Sequence, residues 1–164
     1  MQKKYIGITN KNNQGYTMTI VDYINTKDVI VEFDDKRKTR RHCRIDHFKK
    51  GIVKNKFSKS VYGIGITGDK YPTAINKKNT KEYTTWRHML RRCYDEKCKI
   101  KHPTYENATC CEEWLYYPNF YEWLHSQSNF EKWLNGDKFA LDKDIIKKII
   151  RFTHQTHAAL SLKM

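Results

Sequence analysis

A chain of 164 residues with 32 Lys and Arg against 18 Asp and Glu carries a formal net charge of +14. That excess repels itself unless an anionic partner relieves it, and nucleic acid is the leading partner because each neutralised phosphate releases a counterion. An aromatic content of 13% excludes a disordered chain, and the lack of any apolar run of about 18 residues or signal-peptide pattern leaves a cytoplasmic chain without membrane contact as the expectation.

The first part reads as β structure. In "GYTMTIVDYI" (15–24) Met18, Ile20 and Asp22 fall on one side, with Thr17, Thr19 and Val21 on the other. "KDVIVEFDD" (27–35) alternates more cleanly, with Val29, Val31 and Phe33 facing one way. A third strand, "TRRHCRI" (39–45), is expected to turn Cys43 and Ile45 inward, and "FKKGIVKNKF" (48–57) reads as an exit and linker. These segments predict a small basic β module over residues 1–56.

The second part, 57–145, mixes elements. "SVYGIGITGDKYPTAI" (60–75), with glycines at 63, 65 and 68, suits a short hairpin; no helix-opening glycine pattern makes it a dinucleotide loop. "TTWRHMLRRCYD" (84–95) is the clearest helix, because Trp86, Met89, Leu90 and Cys93 fall on one stripe. After a turn at "CCEEWLYY", Pro118 marks a second helix start, with Phe120, Trp123 and Leu124 on one face. "GDKFALDKDI" (136–145) reads as turn then strand, and residues 146–164 form an atypical, solvated tail. The fold class is therefore α+β: a β-rich module, then an α/β segment with a short hairpin and two main helices.

Two groups of residues suit nucleic-acid binding. In "KRKTRRHCR" six of nine residues are basic: Lys36, Arg37, Lys38, Arg40, Arg41 and Arg44. Straddling a hairpin tip and its outgoing strand, they would form a ribbon charged on both faces that fits a groove or backbone; the competing reading is a solvated edge strand kept from pairing by charge. Arg87 with Arg91, and His88 with Arg92, are i, i+4 pairs that form a second cationic rim, although an exposed helix face gives the same pattern. The carboxylate pairs Glu112/Glu113 and Asp142/Asp144 stand beside no histidine base, and no nucleophilic triad is evident. Five cysteines, an odd number with Cys110 and Cys111 adjacent, make a poor disulfide framework. Cys93-x4-Cys98 and Cys98-x3-His102 are loose for zinc, so reduced, mostly buried thiols and no cofactor are expected.

At "TWRHMLRRCYD", "PTYENATCCEEWL", "NFYEWL" and "LDKDI" the chain resembles phage HNH homing-endonuclease-like proteins, some of which carry an AP2-type DNA-binding segment. Thr85, Trp86, Met89, Arg92, Cys93 and Tyr94 fit the family's first motif, and Cys111, Glu113, Trp114, Leu115, Asn119 and Phe120 its second. The likeness runs from about Ser60 to Ile145. It implies DNA binding and metal-assisted phosphodiester cleavage, with magnesium the cofactor of any residual activity. Two departures argue against cleavage. Lys143 stands where the family's histidine base would sit, and an ordinary lysine is protonated and takes no proton from water. The family's closing Y-S-P-x-x-C segment is also missing. One permitted encoding of "IRFTHQTHAALS", read two nucleotides later, gives "KIYSPDTCCFV", so the C-terminus reads as a frame-shifted HNH end. His154 and His157 are then accidents of reading frame and hold no metal. The resemblance thus implies a nucleic-acid-binding phage protein, for DNA rather than RNA, that derives from an HNH endonuclease and has lost its nuclease activity. The alternative is an anti-CRISPR-like inhibitor that binds a bacterial defence nuclease or its guide RNA.

Overall fold

The computed structural model describes residues 4–137, together with two short strands at residues 139–140 and 161–162. The chain is α+β and divides between Ser58 and Lys59 into two compact units.

The first unit is a four-stranded antiparallel sheet in the order β1 (Thr9–Lys11), β2 (Thr17–Asn25), β3 (Asp28–Phe33) and β4 (Arg40–Cys43), followed by helix α1 (Ile45–Lys49). Met18, Ile20, Val29, Val31 and Phe33 are almost fully buried, as the alternation predicts, and Phe48 and Val53 complete the core. Three expectations are corrected. A register shift in the β2–β3 pairing between Ile20 and Asp22 turns Asp22 outward and brings Tyr23 against the core instead; a bulge inverts the facing of every residue after it. Ile45 packs against the core from the start of a helix and not from a continuing strand. Residues 48–57 belong to the unit and are no linker. Asn12 Nδ2 donates to the Val53 carbonyl at 2.9 Å, and buried Asn55 ties this segment to Asp35. Gly51, at φ +67°, makes the required turn; a Cβ there would stand 2.6 Å from the Lys11 carbonyl oxygen.

In the second unit the hairpin lies later than expected. Residues 60–68 form a tight loop with an internal bridge, Val61 to Gly65, and a parallel bridge from Ile66 to Tyr116, while the short hairpin is β5 (Ala74–Ile75) with β6 (Lys78–Asn79). The glycine spacing misleads because Gly65 serves packing: a Cβ on it would collide with Leu90 Cδ1 and stand 3.0 Å from the Trp86 ring. Helix α2 (Lys81–Tyr94) begins earlier than the apolar stripe, at a Thr80 cap whose hydroxyl accepts the Tyr83 N–H at 3.2 Å. Its Trp86, Met89, Leu90 and Cys93 are wholly buried, as expected. They meet Tyr117, Phe120 and Leu124 of α4 (Tyr117–His125), and Trp86 Nε1 donates to the Trp114 carbonyl at 2.6 Å. Trp123 is half-buried against the same core. Two further short helices, α3 (Glu96–Lys101) and α5 (Phe130–Leu134), were not expected.

Strand β7 (Phe139–Ala140) pairs antiparallel with β8 (Ser161–Leu162), so two residues of the expected solvated tail lie in a strand. Residues 141–160 lie outside the described residues, and with them Asp142, Lys143, Asp144, His154 and His157. Among the described residues no helix is long and apolar enough to cross a membrane.

Candidate functional site

The run from Lys36 to Arg44 occupies the β3–β4 turn and the edge strand β4. Asp35 organises the turn: its carboxylate accepts the Thr39 N–H at 2.8 Å and hydroxyl at 2.6 Å, and the Asn55 amide at 3.0 Å. Burial works against its ionisation, but the bonds from Thr39 and Asn55 outweigh that and hold its pKa below the ordinary value. Lys36, Arg37 and Lys38 are exposed on this turn, Arg37 with its guanidinium 4.9 Å from the Phe57 ring centroid.

Along β4, Arg40 and Arg41 fall on opposite faces, and each has a partner within the unit. Arg41 pairs across from Val31, on the core side, and reaches past the sheet to donate to the Lys54 carbonyl at 2.9 Å. Arg40 faces outward opposite Glu32 and bonds its carboxylate at 2.9 Å, and Arg44 bonds Asp46 at the same distance. The strand's outward charge is thus met by carboxylates of its own unit, although such exposed pairs hold each other weakly.

The second basic group is built differently. Asp95 has an extended backbone that ends α2, and its carboxylate accepts the Cys98 N–H at 2.6 Å to start α3. One residue therefore breaks one helix and caps the next, and the chain turns a corner whose inside is concave. Arg91 and Arg92 are in the last turn of α2, where the helix dipole favours cations. With His88 one turn back they form one wall of a pocket of about 700 Å³. Lys97, Cys98 and Lys101 of α3 form the facing wall, and His102, Tyr105 and Trp133 complete it. Arg92 anchors this arrangement: its Nε donates to the His88 carbonyl at 3.3 Å and its guanidinium sits 5.9 Å from the Tyr105 ring centroid. No Asp or Glu is among the lining residues. Arg87 is not part of the pocket; it lies 5.8 Å from the Tyr83 ring centroid.

The structure thus brings Arg91, Arg92 and His88 together and adds Lys97, Lys101, His102 and Tyr105, which the sequence reading missed. One signal was available. "DEKCKIK" carries an Asp cap followed by Lys97 and Lys101 at i, i+4 spacing, the pattern of a short helix with a basic edge. Asp95 and Glu96 hid it by neutralising the local charge count, although Asp95 is spent on capping.

All five cysteines are free: three are buried and Cys43 and Cys111 are half-buried, as expected. Cys93 and Cys110 are in thiol–thiol contact, and that contact together with burial pushes the Cys110 pKa up. Tyr94 hydroxyl lies 3.7 Å from the Cys110 sulfur. These thiols are core atoms. Among the described residues no group of three or more His, Cys, Asp or Glu is placed to hold a metal. Residues 141–160 are outside the described residues.

No protein-family model, no curated protein and no solved structure matches this chain.

Proposed function

We propose that this protein binds nucleic acid through its second unit, as a phage protein derived from an HNH endonuclease and lacking strand cleavage. The observation that carries the reading is the α2–α3 pocket. Four basic side chains, Arg91, Arg92, Lys97 and Lys101, converge there with two histidines and without a carboxylate. Such a cluster attracts polyanions, and the arginine forks match phosphate oxygens in pairs. Tyr105 adds a ring that can meet a base or sugar. The HNH descent rests on the order of the T-W-x-x-M-x-x-R-C-Y and C-x-E-W-L likenesses, and the loss of cleavage on Lys143 in the place of the base. DNA is favoured over RNA by that descent alone.

Titration of a labelled DNA oligonucleotide with the full chain, over a range of salt concentrations, tests the reading. Affinity should fall steeply with salt, and log affinity against log salt should be linear. Arg91→Glu with Lys101→Glu should weaken binding by about a hundredfold and flatten the slope. Plasmid should stay intact with magnesium; nicking that Asp142→Ala abolishes would restore the enzyme. Stoichiometric capture of a defence nuclease, with no affinity for free nucleic acid, would replace this reading with the inhibitor.

A further inference from the structure

We infer that the α2–α3 pocket takes one unpaired nucleotide of a single strand, phosphate against Arg91, Lys97 and Lys101 and base beside Arg92 and Tyr105; this rests on the nucleic-acid reading above. The first argument is shape. A duplex keeps its bases stacked inside a convex rod and is read by protein elements that protrude into its grooves. Here the cations line an open concavity instead, and its volume of about 700 Å³ leaves room for a small ligand. A single nucleotide out of the stack has a matching form, a projecting base on a charged backbone.

The second argument is the arrangement of planes and charges. Arg92 lies 5.9 Å from the centroid of Tyr105, and His102 meets the same ring edge-on with centroids 6.1 Å apart. A guanidinium plane, a phenol and an imidazole are thus neighbours in the lining of a cationic pocket, and unpaired bases stack on planes of these kinds. Arg91 is exposed and Lys97 and Lys101 stand across from it on α3, so the charge lies open to solvent where a strand's phosphates run. A site for bare phosphate would need the cations and not the ring.

The test compares a short labelled single strand, the same sequence as duplex, and a free mononucleotide, each titrated into the full chain at one salt concentration. The single strand should bind roughly tenfold to a hundredfold tighter than the duplex, the span that one base–aromatic stack supplies. Tyr105→Leu keeps an apolar side chain but removes the ring, and should bring the single strand down to the duplex level; Tyr105→Phe should behave as the parent chain. Thermal unfolding checks that both variants are folded, and the parent chain's own preference for single strand over duplex keeps the test decisive should the Leu variant be damaged. Equal affinity for both strands, lost together in Arg91→Glu with Lys101→Glu, would overturn the unpaired-nucleotide assignment and leave nucleic-acid binding standing. A mononucleotide that binds as tightly as the strand would assign the pocket to a free nucleotide. Indifference of every ligand to the double charge reversal would overturn the assignment and the proposed function together.

Discussion

The turn and strand from Lys36 to Arg44 hold six cations in nine residues, whereas the α2–α3 pocket draws four from a longer and less basic stretch. The denser run is half engaged within its own unit, with Lys36, Arg37 and Lys38 left exposed on the turn. Its Arg40 and Arg44 bond Glu32 and Asp46, and its Arg41 reaches a backbone carbonyl. In the pocket the acidic neighbours are turned to other work: Asp95 caps α3, and no carboxylate faces the lining cations. A charge count along the chain therefore measures how much charge there is, while the fold decides how much of it an outside phosphate meets.

The harshest way to break this contrast is to remove the footing of α2. Trp86 is wholly buried, contacts Tyr83 and Tyr117 as rings, and donates to Trp114. Trp86→Ala should destabilise the second unit by about 3–5 kcal/mol, as loss of a large buried aromatic does. All four tryptophans lie in that unit, so denaturant unfolding followed by tryptophan fluorescence reads it alone, through the three that remain. Binding should disappear with the fold, while the β-sheet signal of the first unit persists. A variant with unchanged unfolding would show that the pocket walls stand without this core.

The contrast sharpens when charges are reversed in each region. Arg91→Glu with Lys101→Glu should weaken nucleic-acid binding by about a hundredfold, near 3 kcal/mol, because two charge-assisted contacts become two repulsions. Arg40→Glu with Arg44→Glu removes cations already paired within their unit and should change affinity by less than about tenfold. Anisotropy titrations of the two double variants compare them directly; the reverse order would return the binding surface to the β3–β4 ribbon.

Acid and alkali separate the units in a third way. Asp35 is held below its ordinary pKa in the fold, against an unfolded value of about 3.9. Below about pH 4 the unfolded chain takes up a proton that the folded one refuses, so the stability from this carboxylate is present above that pH and drains as pH falls through the folded pKa. Asp35→Asn should remove this acid limb and itself destabilise the first unit by about 1–3 kcal/mol, through acceptors lost to Thr39 and Asn55. In the second unit burial pushes the Cys111 thiol up to about 11. Its contribution is whole below about pH 8.5 and is lost as pH rises toward 11. Cys111→Ala should flatten that limb in fluorescence-detected unfolding, and circular dichroism at acid pH should reveal the Asp35 limb.

How much of this was legible in the sequence follows from which interactions are local. The alternation of Val29, Val31 and Phe33 and the stripe of Trp86, Met89, Leu90 and Cys93 are periodic, and each period alone names the buried face. The bulge that turns Asp22 outward is set by pairing with β3, a partner the strand's own residues do not specify. The segment 48–57 looked like a linker because Asn55 and the lysines dilute Phe48 and Val53; a buried asparagine becomes core only when its partners, here Asp35 and the Phe57 N–H, are in place. The pocket is the extreme case. His88, Arg91 and Arg92 were visible on α2, but the facing wall depends on a corner made by one aspartate, and Trp133 comes from more than thirty residues further along.

The smallest expected effect is also the most discriminating about the ribbon. Arg40 is two-thirds exposed and its pair with Glu32 lies on the outer face of the sheet. Solvent screening and the entropy of two long side chains leave such a pair worth at most about 1 kcal/mol, so Arg40→Ala should shift urea unfolding of the first unit by no more than that. Glu32→Gln should be equally mild for stability. For binding the two variants part ways: losing Glu32 releases Arg40 from its partner, and if charge pairing is what silences the ribbon, Glu32→Gln should raise nucleic-acid affinity about twofold to threefold at low salt and leave it unchanged at high salt. An affinity that drops in Glu32→Gln would mean the carboxylate orients Arg40 toward the ligand, and the paired strand would then belong to the binding surface after all.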